Sequence, residues 1–277
     1  MLLSAFSVSY CLKSFLTNQP RISHLFVYPI KALDGIDVSS AAVTRGGALE
    51  HDRAYMIIDE YGKYVRGKSN KKVHLLRTRY DLAAQTVTLT VQGTQEPFTF
   101  HLNTEQKKLE RWLCDFFEMR AYLVHDASSG YPDDRKAWGP TIVSEASLER
   151  VATWFPGLTA SDLMRRFRPN IVLAGVEAFW EDRLFGEPGA FREFHIGAVE
   201  FDGVNPCARC VVPTRNPESA EEYSRFQKTF TERRKETLPP WSATSRFDHF
   251  YRMCVNTRIH PSEAEKVLQV NDEVKLP

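Results

Sequence analysis

The sequence predicts a mainly β fold with helices (α+β), and three observations support this. Short segments rich in β-branched and aromatic residues recur at close spacing from residue 22 onward, which favours a barrel or a sandwich. Helical periodicity is confined to a few segments, first at 105–117. A stretch rich in Gly, Pro and Asp at 126–135 then interrupts the pattern, which predicts two domains joined near residue 140.

The first half contains most of the strand signals. Residues 86–91 alternate apolar and polar side chains almost perfectly, and 54–59 has the composition of a buried strand that leads into a turn. Further strands are predicted at 24–31, 73–76 and 98–102. Together with the helix at 105–117, they form a predicted N-terminal β-barrel-like domain over residues 21–140, after an extension at 1–20.

The second half, residues 141–277, is predicted to form a second β-barrel domain that also contains helices. Ser144-Glu-Ala-Ser147 has the character of a helix start. The remaining predictions are strands at 171–175, 193–196 and 198–201, a charged helix at 221–235, and a hairpin or strand pair at 267–276.

Composition restricts the possible functions. The chain has 277 residues and a formal charge of +1, so no global charge favours nucleic acid or an anionic membrane. Its five cysteines do not suggest a disulfide framework, and we expect a reducing, cytoplasmic location. No run approaches the ~18 apolar residues of a transmembrane segment. Residues 1–20 lack a basic start, so an extension in which Cys11 has no special role is favoured over a secretory signal.

Cys207 and Cys210 lie in the most informative segment, 203–215. A thiol binds metal or attacks as the thiolate, and Arg209 and Arg215 nearby favour that charged form. The spacing alone leaves zinc, redox and purely structural roles open. Zinc is disfavoured because the eight histidines supply no second ligand pair. A thioredoxin-type site is disfavoured because 211–213 should continue as extended chain.

A second group of residues favours anion binding. Arg165, Arg166 and Arg168 precede Asn170 and a buried strand, and arginine matches phosphate with two parallel hydrogen bonds. Lys31 and the pair Asp52-Arg53 also stand at strand ends. The alternative interpretations are a solvated basic turn and a simple Asp52–Arg53 ion pair.

Six separated motifs together resemble the MOSC proteins. More narrowly, they resemble the branch with an N-terminal MOSC β-barrel domain that includes YcbX and the mitochondrial amidoxime reducing component. The resemblance covers about residues 22–276. Its motifs are Tyr28-Pro-Ile-Lys31, Asp52-Arg53, Ser144-Glu-Ala-Ser147, Phe167-Arg-Pro-Asn-Ile-Val172, Glu181-Asp182 and Asn205-Pro-Cys-Ala-Arg-Cys-Val-Val-Pro-Thr214.

The resemblance implies a molybdenum cofactor (Mo-molybdopterin) and an enzyme that reduces small N-hydroxylated compounds. Cys210 matches the cysteine that binds the metal, so it is the implied ligand and catalytic residue. The implied cofactor-binding residues are Lys31, Arg53, Ser144, Arg168 and Asn170. Electrons would come from a separate protein, such as a ferredoxin, a flavin reductase or a cytochrome b5-like protein.

Two other functions stay open. The first is a sulfur carrier, in which Cys210 or Cys207 bears a persulfide for metal–sulfur cluster or molybdenum cofactor biosynthesis. The chain shows no fused pyridoxal-phosphate domain, which weakens this hypothesis. The second is a binding module without catalytic activity.

Overall fold

The structure is a computed structural model that describes residues 19–277. Within that range the chain is mostly β, with fifteen strands and four α-helices, as predicted. Cys11 and most of the predicted extension lie outside the described residues. No helix in the described range is long and apolar enough to cross a membrane.

The strands are two to ten residues long. In chain order they are β1 (Arg21–Val27), β2 (Ile36–Asp37), β3 (Ser40–Ala42), β4 (Tyr55–Asp59), β5 (Leu76–Asp81), β6 (Thr86–Val91), β7 (Pro97–His101), β8 (Ala121–His125), β9 (Ile142–Ser144), β10 (Ile171–Ala174), β11 (Arg192–Ile196), β12 (Val199–Ala208), β13 (Arg252–Arg258), β14 (Val267–Gln269) and β15 (Val274–Lys275). The α-helices are α1 (Gln106–Phe117), α2 (Glu145–Ala152), α3 (Ala160–Phe167) and α4 (Phe226–Glu236).

Eight strands form the largest sheet, in the order β15-β11-β12-β13-β9-β10-β1-β2. Strand β1 pairs antiparallel with β10, while β9 and β10 run parallel. Strands from both predicted domains therefore share one sheet. The boundary near residue 140 stays a prediction.

The large sheet is buried on both faces. Along β10, Ile171 and Leu173 belong to a core with β11 and β12, whereas Val172 faces a second core formed with the helices α2, α3 and α4. Alternate side chains of a strand point to opposite faces, so a short apolar run serves both cores. A third core lies between α1 and the strands β4 to β8.

Most predicted elements are confirmed, and three predictions are wrong. Residues 71–75 form a short 3₁₀ helix instead of a strand, because Asn70 accepts a hydrogen bond from the Lys72 amide at 3.0 Å. Residues 212–214 form a 3₁₀ turn where extended chain was expected. The last two strands do not pair with each other: β14 pairs with β3, and β15 pairs with β11.

Candidate functional site

A cavity of about 570 Å³ lies where the ends of β12 and β13 meet the turn before β4 and the loop 126–141. We call it the main cavity. Its lining is unusually rich in charge, with six arginines and three aspartates. They are Arg53, Arg135, Arg168, Arg209, Arg246, Arg252, Asp52, Asp133 and Asp134.

Arg53 and Asp52 form one wall of the main cavity. Arg53 has a left-handed backbone, with φ of 52°. Its guanidinium donates to Asp52 and, at 3.3 Å, to Asn170 Oδ1. The other oxygen of Asp52 accepts from the Tyr28 amide at 2.9 Å. Burial alone would lower the pKa of Arg53, but the charges of Asp52 and Asp133 together with the Asp52 hydrogen bond outweigh it and the pKa is raised. The ion-pair interpretation of Asp52 is thus confirmed, and the guanidinium stays charged.

Arg168 and Asn170 complete this wall. Arg168 ends α3 in a left-handed conformation, and its guanidinium lies 4.1 Å from the centre of the Tyr28 ring. Asn170 is only 1% exposed, and its amide bonds to Thr141 and to the Phe26 carbonyl. Three of the predicted cofactor-binding residues, Arg53, Arg168 and Asn170, are therefore together in the structure.

Lys31 acts on the main cavity indirectly. Its buried ammonium donates to the Pro132 carbonyl at 3.1 Å, pairs with Asp133 at 2.8 Å and lies 4.7 Å from the Tyr64 ring centre. Burial lowers the pKa of Lys31, and Asp133 opposes this effect. Desolvation works against the charged form of Asp133, but Arg53 and Lys31 hold its pKa below the usual value. Lys31 thus fixes the loop that forms one side of the cavity.

The two motif cysteines occupy different positions. Cys207, on β12, lines the main cavity, and its Sγ accepts from Arg209 Nη1 at 3.1 Å. Cys210 is exposed, two residues beyond the end of β12, and does not line that cavity. Arg215 turns away from both thiols and donates to the Gly67 carbonyl. The predicted role of Cys210 stays a prediction, and the thiol of the cavity wall is that of Cys207.

Ser144 does not line the main cavity. It is the N-cap of α2, fully buried, and its Oγ accepts from the Ser147 amide and donates to Glu181 at 2.9 Å. These contacts explain its place in the sequence motif as a helix start. They give no support to its predicted cofactor contact.

Sequence reasoning missed several residues of the site. Arg246 and Arg252 come from a 3₁₀ turn and from β13, far along the chain from the other motifs, and no local pattern marks them. Arg209 carried a signal, because it lies between the two cysteines. Among residues 19–277, no group of three or more His, Cys, Asp or Glu side chains is arranged to hold a metal.

Two family profiles match the chain and together cover almost all of it. The profile of the MOSC N-terminal beta barrel domain matches residues 19–155, and that of the MOSC domain matches residues 140–275.

Curated relatives are similar at low identity. Molybdenum cofactor sulfurase from Homo sapiens is 24% identical over 68% of this chain, which spans only 26% of that protein. Mitochondrial amidoxime-reducing component 1 from Homo sapiens is 27% identical over 72% of this chain and 67% of its own length. Among solved structures, the YUAD protein from Bacillus subtilis aligns over 92% of this chain and 94% of its own, with 8% identity and a TM-score of 0.38.

Proposed function

We propose that this chain, which belongs to the MOSC family, binds a molybdenum cofactor in its main cavity and reduces small N-hydroxylated compounds. One observation carries this proposal. A cavity lined by six arginines lies beside a segment with two thiols, one of which, Cys207, is in the cavity wall. The cations suit a phosphate-bearing group, and a thiolate suits a soft metal.

The residues of the main cavity fit such a cofactor. A volume of about 570 Å³ lies within the roughly 300–1,000 Å³ of small-molecule sites. The buried Nε atoms of Arg209 and Arg252 have no hydrogen-bond partner within the described protein, and an unpaired buried donor is costly. A group that brings its own metal ligands also suits a site where the chain offers only single thiols.

We assign the anionic end of the cofactor to Arg53, Arg168 and Asn170. Asp52, Tyr28 and Thr141 hold these guanidiniums and the amide in place before the ligand binds, so little side-chain conformational entropy is lost on binding. Lys31 positions the loop over this end through Asp133. Cys210, three residues beyond Cys207 and exposed outside the cavity wall, is proposed as the protein ligand of the metal on the basis of the family resemblance, and Cys207 is not assigned as a ligand.

In the proposed reaction the N–O bond breaks, an N–H bond forms, and the oxygen leaves as water. Two electrons and two protons are consumed. The bound cofactor would supply two-electron oxygen-transfer chemistry. The chain's own contribution is to hold the cofactor and to present a polar, positively charged cavity to the substrate. Asp52 is not a free proton donor, because both of its oxygens accept hydrogen bonds.

The two electrons would come from a separate redox protein, such as a ferredoxin, a flavin reductase or a cytochrome b5-like protein. Two relatives, one human and one bovine, are named amidoxime reducing components, which supports a reductase.

Sulfur transfer is the second candidate function, and one observation favours it. Cys210 is exposed and outside the main cavity, so its thiol is accessible to a protein that delivers sulfur. The donor protein would supply a sulfane sulfur atom to form a persulfide on Cys210. The outer sulfur would then pass to a metal centre with two electrons from an external thiol reductant, and Cys210 would return as the thiolate. The relative named molybdenum cofactor sulfurase agrees with this candidate, although this chain spans only 26% of its length.

A reductase assay separates the two functions. The protein is purified from a host that makes molybdenum cofactor and is given an amidoxime, with reduced viologen as the electron source. We expect turnover that falls with Arg53→Gln and is unchanged by Arg111→Gln, a control at an exposed position of α1. Molybdenum-loaded protein without turnover would refute the reductase proposal. Metal-free protein that carries cyanide-labile sulfur would support sulfur transfer.

A further inference from the structure

A second, smaller cavity lies on the other side of Arg168, which lines both cavities. We call it the small cavity. Its volume is about 40 Å³, and since a water molecule needs roughly 10–15 Å³, it has room for about three waters or one small oxyanion. The charged and titratable residues of its lining are Asp34, His74, Arg77, Arg165, Arg166, Arg168 and Arg215.

The small cavity collects unpartnered buried nitrogen atoms. His74 Nε2 and the Nε atoms of Arg77, Arg166 and Arg215 are buried without a hydrogen-bond partner in the described protein. Three of these side chains are more than nine-tenths buried: His74 is 8% exposed, Arg166 4% and Arg215 8%. Buried donors are normally paired. The three arginine Nε–H groups around one cavity therefore indicate a missing acceptor, whereas His74 Nε2 donates or accepts according to its tautomer.

The neighbouring carboxylates do not balance the positive charge of the five arginines that line the small cavity. Asp34 pairs with Arg77 at 3.0 Å, Glu218 pairs with Arg165 at 2.7 Å, and Glu222 lies 3.6 Å from Arg215 Nε.

Among residues 19–277, no carboxylate pairs with Arg166 or Arg168. Arg166 donates to the carbonyls of Pro213 and Arg215 at 2.9 and 2.5 Å, and Arg168 stacks on Tyr28. These contacts orient the two guanidiniums without neutralising them.

The neighbouring cations also act on His74. Burial lowers the pKa of His74, a hydrogen bond with the Gly67 backbone opposes this effect, and Arg215, Arg168 and Arg77 lower the pKa further. The lowered pKa keeps the ring neutral near pH 7. A neutral ring among guanidiniums adds nothing to the repulsion between the cations.

We propose that the small cavity binds a phosphate-class oxyanion through Arg77, Arg166, Arg215 and His74. Guanidinium forks match tetrahedral oxyanions, and enclosure among buried side chains strengthens each contact. The anion has two possible sources. It is either free inorganic phosphate or a phosphate group of a ligand that extends past Arg168 from the main cavity. As a site for free phosphate it does not depend on the proposed function, because Arg77, Arg166, Arg215 and His74 lie outside the main cavity. The second source rests on the proposed function, and it would place the cofactor's phosphate beyond Arg168 instead of on Arg53 and Asn170.

Calorimetric titration with inorganic phosphate tests this proposal on two forms of the full chain. One form comes from a host that makes molybdenum cofactor, and the other from a host that does not. Binding to both forms would identify free phosphate as the ligand. Binding only to the cofactor-free form would identify the phosphate of the larger ligand.

Variants locate the binding. We expect Arg215→Gln to weaken phosphate binding at least tenfold and His74→Gln to weaken it severalfold, while Arg111→Gln leaves it unchanged. Since Arg215 also bonds to the Gly67 carbonyl, thermal unfolding checks that its variant folds, and the His74 variant tests the site with less disturbance. No phosphate binding to either form would overturn the proposal. Equal binding by wild type and both cavity variants would also overturn it.

Discussion

The buried carboxyl group of Glu181 should make the stability of the folded chain depend on pH. Glu181 is 2% exposed and accepts hydrogen bonds from the Oγ atoms of Ser144 and Ser147, both at 2.9 Å. Burial and the nearby Asp182 charge raise its pKa from 4.5 to about 7, while the serine hydroxyls oppose this rise. Between these two pH values the folded chain holds a proton that the unfolded chain has released.

The sign and size of the effect follow from this difference. The folded state binds more protons between pH 4.5 and about 7, so the free energy of unfolding falls as pH rises. The contribution of Glu181 is complete below pH 4.5 and is lost as pH rises through about 7. At 1.36 kcal/mol per pH unit, the loss amounts to roughly 3 kcal/mol.

Glu181→Gln tests this reasoning. The amide oxygen can still accept from both serines, but the side chain no longer ionises. Urea unfolding of wild type and variant at pH 5, 6, 7 and 8 gives the free energy of unfolding of each. We expect the wild type to lose roughly 2.5 kcal/mol relative to the variant between pH 5 and 8, because part of the loss has already occurred at pH 5. Parallel pH profiles for the two proteins would refute the argument, because other titrating groups cancel in the comparison.

Three further predictions concern packing, ion pairing and helix capping in the fold, each checked by urea unfolding. Gly139→Ala should destabilise the fold by about 1–3 kcal/mol, since the added Cβ would come within 2.7 Å of Thr257 Oγ1 and 2.9 Å of the Thr257 carbonyl oxygen. Gly186→Ala is the control, because the atom nearest to its added Cβ is 3.6 Å away. Equal stability of the two variants would contradict the prediction. Arg234→Met leaves its buried aspartate partner unpaired and should cost about 3–5 kcal/mol; a loss below 1 kcal/mol would show that the pair is unimportant. Ser144→Ala removes the N-cap of α2 and should lower the free energy of unfolding by about 1 kcal/mol without changing the molybdenum content of the protein. Loss of the metal in this variant would instead support the cofactor contact of Ser144 that the sequence predicts.

Local patterns allowed much of the fold to be predicted. The alternation at Thr86–Val91 and the apolar stripe of α1 depend on neighbours in the sequence, and both are confirmed. The strand predicted at 73–76 failed because a short side-chain cap at Asn70 stabilises a turn there. The partners of β14 and β15 failed because they come from distant parts of the chain, which no local pattern records.

In the candidate site, too, residues that belong to local motifs could be predicted, and residues brought in from distant parts of the chain could not. Arg53, Arg168 and Asn170 were predicted together because each belongs to a recognisable motif, and the structure places them within one wall. Arg246 and Arg252 line the same cavity only through the packing of β13 and its preceding turn, so the sequence alone could not assign them. The burial of Lys31 behind the loop, and the placement of Cys207 in the cavity wall in preference to Cys210, likewise depend on the path of the backbone after each motif.

Metal content tests the central claim most directly. Molybdenum and pterin are measured in wild type, Cys210→Ala and Cys207→Ala, all purified from a host that makes the cofactor. We predict near-stoichiometric molybdenum and pterin in wild type, retention of both in Cys207→Ala, and loss of the metal in Cys210→Ala. Full molybdenum in Cys210→Ala would contradict the assigned ligand, and a metal-free wild type would contradict the proposed cofactor itself.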